Sequence, residues 1–150
     1  MELKIAALKK GTVIDHIPTD KVFSVVSILN LENSAHQVTI ANFLDSKKMG
    51  KKGLVKISEK ILGENETNKL TLIAPNAQIN IIDDFKVVGK RSLSLPAEIS
   101  EIVQCGNPNC ITNHQPVKTH FYVLNDDNSN VKLKCRYCER EMTRENAKLK

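Results

Sequence analysis

The chain has 150 residues, which allows one ordinary domain or two small ones. Apolar residues make up 41% of it, enough to bury a core, whereas the absence of Trp and an aromatic content of 4% argue against a stacking surface for single-stranded nucleic acid. The formal charge of +5 is a mild excess that is consistent with an anionic ligand.

The sequence shows no secretion signal and no membrane segment. Its first residues lack the apolar stretch and small-residue cleavage site of a signal peptide, and no apolar run approaches the roughly 18 residues of a membrane span. We therefore expect a cytoplasmic protein, in a compartment where thiols stay reduced.

The first predicted elements are a strand and a helix. Residues 12–14 predict a strand, preceded by a short apolar run at residues 5–8. Thr19 is a suitable N-cap for the helix that follows. The apolar residues of this helix recur at i, i+3, i+4 and i+7, so they should face the core: Val22, Val25, Val26 and Leu29.

A strand pair is predicted next. Residues 36–44 alternate between apolar and polar side chains, which is the spacing of a half-buried strand. The glycine-containing segment 49–53 predicts a turn, and residues 54–57 a second strand.

The N-terminal part ends with a helix and two strands. A weaker helix is predicted over about residues 66–74, ended by Pro75. Strands at 78–82 and 85–89 flank a turn at Asp83-Asp84. The order β-α-β-β-α-β with an extra terminal strand predicts an α+β, ferredoxin-like domain, an antiparallel sheet with two helices packed on one face.

The distribution of cysteines predicts a second domain. All four follow residue 104, which places the boundary near residues 92–96 and gives domains 1–95 and 96–150. Residues 120–124 and 131–134 predict strands joined by a turn at 126–128. This part is expected to be a small all-β domain of the zinc-ribbon or rubredoxin-like kind.

The cysteine spacing predicts one structural zinc ion. Cys105 and Cys110 are separated by four residues, and Cys135 and Cys138 by two. Each of these closely spaced cysteine pairs, with the residues between them, is called here a knuckle. Two knuckles can supply the four tetrahedral ligands of one Zn²⁺, and four thiolates leave no open position for catalysis. Metal binding worth about 10–16 kcal/mol would then be a large share of the folding energy of so small a domain.

Two alternatives to this ligand set remain open. The cysteines could form two disulfides or stay as four free thiols, although a reducing compartment and the paired spacing favour a metal. His114 and His120 could replace a cysteine as ligand, but both lie outside the knuckles.

The residues alone give little sign of catalysis. The chain has no phosphate-cradling glycine loop and no GxSxG or HExxH motif. Asp15-His16 is an adjacent acid–imidazole pair, and Lys52, Lys56 and Lys90 lie beside turns and strands. Several ammonium groups converging in space would suit a phosphate ligand.

Five ordered segments of the chain resemble the regulatory chain of aspartate carbamoyltransferase. The resemblance runs from about Leu3 to about Glu141. The segments are GTVIDHIP at 11–18, MGKKGLVKI at 49–57, APNA with NII at 74–82, VVGK at 87–90, and the knuckles CGNPNC at 105–110 and CRYCE at 135–139.

The resemblance implies a non-catalytic role in pyrimidine biosynthesis. Regulatory chains of this family have an N-terminal allosteric domain, through which they pair as homodimers, and a C-terminal zinc domain that docks onto the catalytic chain. Six regulatory and six catalytic chains form the assembly. CTP and ATP bind one shared site, and UTP acts with CTP in some members; neither nucleic acid nor a membrane is a partner.

The resemblance also implies a nucleotide-binding site. By position it would comprise the backbone of Ala6, Ala7 and Leu8 with Val13 around the base; Asp15 and Lys56 at the ribose hydroxyls; His16, Lys52 and Lys90 at the triphosphate; and Asn80, Phe85 and Val87 completing the wall. The chain departs from the family at Ala6, where an acidic residue is frequent, and at Phe85, where a tyrosine is frequent.

Two rival functions are weighed against this one. A zinc-ribbon nucleic-acid binder should have a basic zinc domain, yet residues 96–150 contain 8 Lys and Arg against 7 Asp and Glu. A stand-alone nucleotide-dependent enzyme should have a catalytic constellation, and none is found in the sequence.

Overall fold

The computed structural model describes residues 8–124 and 131–149. The chain divides into two compact units, residues 1–93 and 94–150. Residues 5–7 of the first apolar run and the turn predicted at 126–128 lie outside the described residues.

The described residues of the first unit, 8–93, form five strands and two α-helices. The strands are β1 (Lys10–Ile17), β2 (Val38–Ser46), β3 (Gly50–Ser58), β4 (Gln78–Asp83) and β5 (Lys86–Ser92). The helices are α1 (Val22–Ile28) and α2 (Glu64–Ile73), and a 3₁₀ turn lies at Leu31–Asn33.

The five strands form one antiparallel sheet in the order β2-β3-β1-β4-β5. Its first four strands have the order that a β-α-β-β-α-β chain adopts in a ferredoxin-like fold, and β5 adds the extra strand at the edge. The predicted fold class is confirmed.

One face of this sheet is buried by the two helices. Ile14, Val55 and Ile79 are paired across the three central strands, and all three belong to the core cluster that also includes Val25 of α1 and Leu70 of α2. The predicted apolar face of α1 is confirmed, since Val22, Val25 and Leu29 are buried and Val26 packs against them. The opposite face of the sheet is called here the outer face.

The start of α1 was predicted incorrectly. Thr19 is not the N-cap; the helix begins at Val22, with Lys21 as its N-cap and no side-chain capping bond. The N–H of Lys21 bonds to the carbonyl of Pro18 at 2.8 Å, and the carbonyl of Thr19 accepts a bond from Asn42 Nδ2. A tight turn therefore occupies the residues where the first helical turn was expected.

Two turns also lie elsewhere than predicted. Strand β3 already begins at Gly50, so most of the predicted turn at 49–53 is strand. The second turn is formed by Asp84 and Phe85, with φ of 51° and 63°, so Phe85 is not a strand residue. Two successive positive φ values are what a two-residue hairpin turn between twisted strands requires.

The second unit is built of short strands. They are β6 (Glu98–Ser100), β7 (Val103–Gln104), β8 (His120–Val123), β9 (Lys132–Cys135), β10 (Glu141–Thr143) and β11 (Lys148–Leu149), with 3₁₀ turns at Ile111–Asn113 and Arg144–Asn146. Four of them form an antiparallel sheet in the order β10-β9-β8-β6, and β11 pairs with β7. Ile99, Phe121 and Leu133 are buried in this unit.

Candidate functional site

Four cysteine sulfurs converge in the second unit. Cys105 follows β7, Cys110 precedes the 3₁₀ turn at 111–113, Cys135 ends β9, and Cys138 lies in the turn after it. All four Sγ atoms lie within 4.8 Å of one another, and the thiols are free, so no disulfide joins them. Both knuckles are closed by backbone hydrogen bonds: Cys110 N–H to Asn107 O and Glu139 N–H to Cys135 O, each 3.0 Å.

The sulfur cluster has the size of a tetrahedral metal site. Ligands at about 2.3 Å from a central ion would be separated by about 3.8 Å. The distance is 3.6 Å between the Sγ atoms of Cys105 and Cys138, and 3.8 Å between those of Cys110 and Cys135. The residues therefore fit one four-coordinate metal ion with thiolate ligands.

The environment of the thiols also fits a cation. Burial raises the pKa of Cys105 to about 12, and burial likewise raises the pKa of Cys135. At Cys138 burial raises the pKa too, but hydrogen bonds from the Arg140 backbone and the Asn107 side chain outweigh it and lower the pKa to about 7. Since buried thiolates are costly alone, a bound divalent cation would be what keeps this set deprotonated.

The two competing histidines bind other partners. His114 Nε2 lies 2.7 Å from the carbonyl oxygen of Pro108. The His120 ring lies between Ser100 Oγ and Glu98 Oε1, at 2.8 Å from each. Neither histidine belongs to the sulfur cluster, so the ligand set found among the described residues is four cysteines.

A second candidate site lies on the outer face of the five-stranded sheet. Lys52 Nζ is 2.8 Å from Asp15 Oδ1, and both side chains are 19% exposed. His16 follows in a bulge with φ of 59°, and its Nδ1 lies 3.6 Å from the same carboxylate oxygen and has no hydrogen-bond partner. The bulge thus brings an imidazole, a carboxylate and an ammonium group together at one end of β1.

The strand register extends this site across the sheet. Lys56 of β3 pairs with Val13 of β1, Val13 pairs with Asn80 of β4, and Asn80 pairs with Lys90 of β5. Directly paired residues share a face, so these four side chains form a row over four strands, about 14 Å long at the usual spacing. Residues an even number of positions apart on a strand share a face. Asp15 is two residues from Val13 and Lys52 is four residues from Lys56, so both lie on the same face as this row.

Polar groups in the row are poised for a ligand. The Oδ1 atom of Asn80 is buried without a hydrogen-bond partner. Burial lowers the pKa of Lys56, which is half-buried between its neighbours on the sheet. Lys90 is exposed at the far end of the row. Three lysines and one histidine on this face outnumber its single aspartate, so the face attracts anions.

An apolar patch lies beside these polar groups. Val13, Leu54 and Ile82 are buried together on the outer face, and Leu8 and Leu44 pack against them. Val87 pairs with Ile82, and Phe85 lies in the adjacent turn, where its N–H bonds to the carbonyl of Lys9 at 3.0 Å. Apolar side chains next to cations suit a ligand that has an apolar ring and an anionic tail.

The structure thus collects most of the residues that the resemblance implied. Leu8, Val13, Asp15, His16, Lys52, Lys56, Asn80, Val87 and Lys90 all lie on the outer face or at its end, and Phe85 lies at its rim. Ala6 and Ala7 lie outside the described residues.

Sequence reasoning missed several residues around both sites. Leu54 and Ile82 belong to the outer face, and strand alternation could have found Leu54, which lies between Lys52 and Lys56. Near the sulfurs, Thr112 Oγ1 lies 3.2 Å from Cys110 Sγ, and Asn113 Nδ2 bonds to two knuckle carbonyls. No spacing rule indicates these two residues, because their role depends on how the knuckle folds.

None of the helices in residues 8–124 and 131–149 is long and apolar enough to cross a membrane.

Comparison with known proteins gives the same assignment over both units. Residues 3–94 match the family model for the aspartate carbamoyltransferase regulatory chain, allosteric domain, and residues 97–148 match that for the metal binding domain of the same chain.

Individual relatives agree over almost the full length. The aspartate carbamoyltransferase regulatory chain of Bacteroides fragilis is 50% identical over 143 residues, which is 95% of this chain and 92% of the relative. That of Phocaeicola vulgatus is 48% identical, covering 98% and 94% of the two chains, and that of Thermococcus sibiricus 50% identical, covering 94% and 92%. Both family models and all three relatives are regulatory chains, so this protein is a regulatory and not a catalytic subunit. The chain belongs to the family of aspartate carbamoyltransferase regulatory chains.

Proposed function

We propose that this chain controls a partner aspartate carbamoyltransferase catalytic chain by binding nucleoside triphosphates on its outer sheet face. The observation that carries the proposal is the row formed by Lys56, Val13, Asn80 and Lys90, with Asp15 and Lys52 beside it. Its cations suit a triphosphate, and its buried apolar patch suits a base.

The ligand would be CTP or ATP at one shared site, and UTP would act together with CTP. The triphosphate is assigned to Lys52, Lys90 and His16, whose buried Nδ1 has no hydrogen-bond partner. Asp15 and Lys56 would hold the ribose hydroxyls, since a carboxylate accepts and an ammonium donates hydrogen bonds.

The remaining groups would surround the base and complete the wall. Leu8 and Val13 would supply apolar contacts, and the family resemblance assigns the backbone of Ala6 and Ala7 to the same part of the site. Asn80, Val87 and Phe85 form the far side. Because Phe85 lacks a hydroxyl, its side chain offers the base an apolar contact and no hydrogen bond.

The metal of the second unit is proposed to be one structural Zn²⁺ held by Cys105, Cys110, Cys135 and Cys138. Zinc accepts a tetrahedral set of four thiolates, and the sulfur separations match that geometry. All four positions are occupied by protein, so the ion would stabilise the domain and take no part in catalysis.

The two domains would have different roles. Residues 1–95 are the proposed allosteric nucleotide-binding domain and pair two regulatory chains, whereas residues 96–150 are the proposed zinc domain that docks onto the catalytic chain. Six chains of each kind would form the cytoplasmic assembly that acts in pyrimidine biosynthesis. A nucleotide would shift activity only by its differential affinity for two states of this assembly, and couplings are typically about 1–3 kcal/mol.

A zinc-ribbon nucleic-acid binder is the rival function. It needs a basic zinc domain, but residues 96–150 are nearly neutral, and four thiolates around one Zn²⁺ would add two negative charges.

Co-purification with the catalytic chain tests the proposal. The tagged chain should retain the catalytic chain from the same source and should not retain nucleic acid. Cys110→Ser should abolish this retention because the zinc domain loses a ligand, while the released catalytic chains stay active and no longer respond to CTP. Retention of the catalytic chain by a metal-free Cys110→Ser variant would contradict the proposed role of zinc in docking.

A further inference from the structure

We propose that Asn113 is the positioning residue that holds the first cysteine knuckle, residues 105–110, in its metal-binding geometry. The proposal rests on the zinc site proposed above. Asn113 is not a ligand: it lies three residues beyond Cys110, at the end of the 3₁₀ turn, and acts only through hydrogen bonds.

The Asn113 amide uses its donors on the knuckle backbone. Nδ2 donates to the carbonyl of Cys105 at 3.0 Å and to the carbonyl of Asn107 at 2.7 Å. Oδ1 accepts a bond from Gln104 Nε2 at 3.3 Å. A side-chain amide has two N–H donors and one carbonyl acceptor, so this one is fully engaged with the segment that precedes and forms the knuckle.

Asn113 is thereby bonded to both cysteine residues of the first knuckle. Its side-chain amide holds Cys105 through the Cys105 carbonyl, and its backbone N–H bonds to Cys110 O at 2.9 Å. The side-chain amide also holds the carbonyl of Asn107, which lies between the two cysteines. Replacing the side chain removes the bonds to Cys105 and Asn107 and leaves the backbone bond to Cys110.

The knuckle benefits from such an anchor because little regular secondary structure holds its backbone. Residues 105–110 lie between a two-residue strand and a three-residue turn. The Asn107 carbonyl accepts the Cys110 N–H as well as the Asn113 amide, and the Cys105 carbonyl accepts the Asn113 amide. Groups that orient metal ligands without touching the metal typically change metal affinity by about 10- to 100-fold when removed.

The test compares full-length chains carrying Asn113→Ala, Asn113→Asp and the matched control Asn109→Ala. Asn109 is an exposed asparagine of the same knuckle. Aspartate is nearly isosteric but replaces the donor by an oxygen that repels both carbonyls. Zinc content is measured first, then the rate of zinc transfer to a coloured chelator, and then the absorption spectrum of the Co²⁺-substituted chain.

We expect the native chain to hold one zinc, both Asn113 variants to release it about 10- to 100-fold faster, and Asn109→Ala to match the native rate. The d–d bands of Co²⁺ should shift in the Asn113 variants, because the ligand geometry changes. A buried variant outside both knuckles, Ile99→Val, lies two strands from Cys135 and should destabilise the domain without shifting these bands.

Two results would overturn the proposal for Asn113 alone: release rates equal to those of Asn109→Ala, or faster release with an unchanged Co²⁺ spectrum, as in Ile99→Val. A native chain that binds no metal would overturn the zinc site itself, and this proposal with it.

Discussion

Polar side chains that are distant in sequence lie close together on the outer face. A lysine, an aspartate and a histidine meet where a bulge in β1 turns His16 to a positive φ. The sequence contains only an adjacent Asp-His pair and scattered lysines. Their convergence follows from strand register, which brings residues 15, 52, 56, 80 and 90 of the chain onto one surface.

The Lys56 ammonium predicts a pH dependence of nucleotide binding. Burial lowers its pKa from the ordinary 10.5, so it loses its charge at a lower pH than an exposed lysine. As pH is raised, CTP affinity should therefore begin to decrease before pH 10.5 is reached. The decrease should be up to about tenfold per pH unit once Lys56 is mostly neutral. Lys56→Arg should move this decline to higher pH, since arginine stays charged. Calorimetric titration with CTP between pH 7 and 10 measures both profiles; identical profiles would exclude Lys56 from the site.

The lowered pKa of Lys56 affects folding stability and CTP affinity in opposite directions as pH rises. Between the lowered folded-state pKa and the unfolded value, the unfolded chain binds more protons than the folded one. The contribution of Lys56 to the free energy of unfolding therefore rises with pH through this window, while CTP affinity falls. The two trends can be separated by following unfolding and binding on the same samples.

The secondary-structure elements show which features local sequence could predict. Apolar runs, alternation and helical periodicity predicted the five strands and two helices that the structure describes in the first unit. The helices and the central strands β1, β3 and β4 have buried residues, whereas β5 is exposed along most of its length. Element ends depended on contacts that are distant in sequence: Thr19 lies in a turn held by Asn42 of β2, and Phe85 is bonded to Lys9. Both errors therefore come from tertiary contacts overriding local preference.

The packing of α1 on β3 depends on one glycine. A Cβ atom built on Gly53 would lie 2.0 Å from Val22 Cγ2, whereas one on Gly89 of β5 would lie 3.7 Å from its nearest neighbour, Ile81. Gly53→Ala should destabilise the first unit by about 1–3 kcal/mol, since helix or strand must move. Gly89→Ala is the matched control and should change stability by less than about 0.5 kcal/mol.

Thermal and urea unfolding monitored by circular dichroism measure both glycine variants. Equal stability of Gly53→Ala and Gly89→Ala would mean that α1 does not pack on β3 as closely as the structure shows.

In the whole molecule, the sites proposed for nucleotide and metal lie in different units. The proposed metal ligands could be predicted from spacing alone, because a four-thiolate site needs two short knuckles. The proposed nucleotide site could not, since its residues are distributed over four strands and no local motif connects them; the family resemblance supplied them. Asn113 was found only in the structure, because nothing in its sequence context marks it as an anchor.

The two-site arrangement predicts that attachment and response can be separated. Metal loss should detach the chain, whereas a change on the outer face should leave it attached but unresponsive. Lys52 and Lys51 offer a matched pair for this comparison. Lys52 bonds to Asp15 on the outer face with 19% of its side chain exposed, while the adjacent Lys51 pairs with Asp45 at the exposed hairpin end.

The most direct measurement is the CTP response of carbamoyltransferase activity in assemblies reconstituted with native, Lys52→Gln or Lys51→Gln chains. All three should form the assembly. CTP should change activity with the native and Lys51→Gln chains, and about tenfold or more CTP should be needed with Lys52→Gln, because a charged contact to phosphate is lost. An unchanged CTP response in the Lys52→Gln assembly would contradict the account.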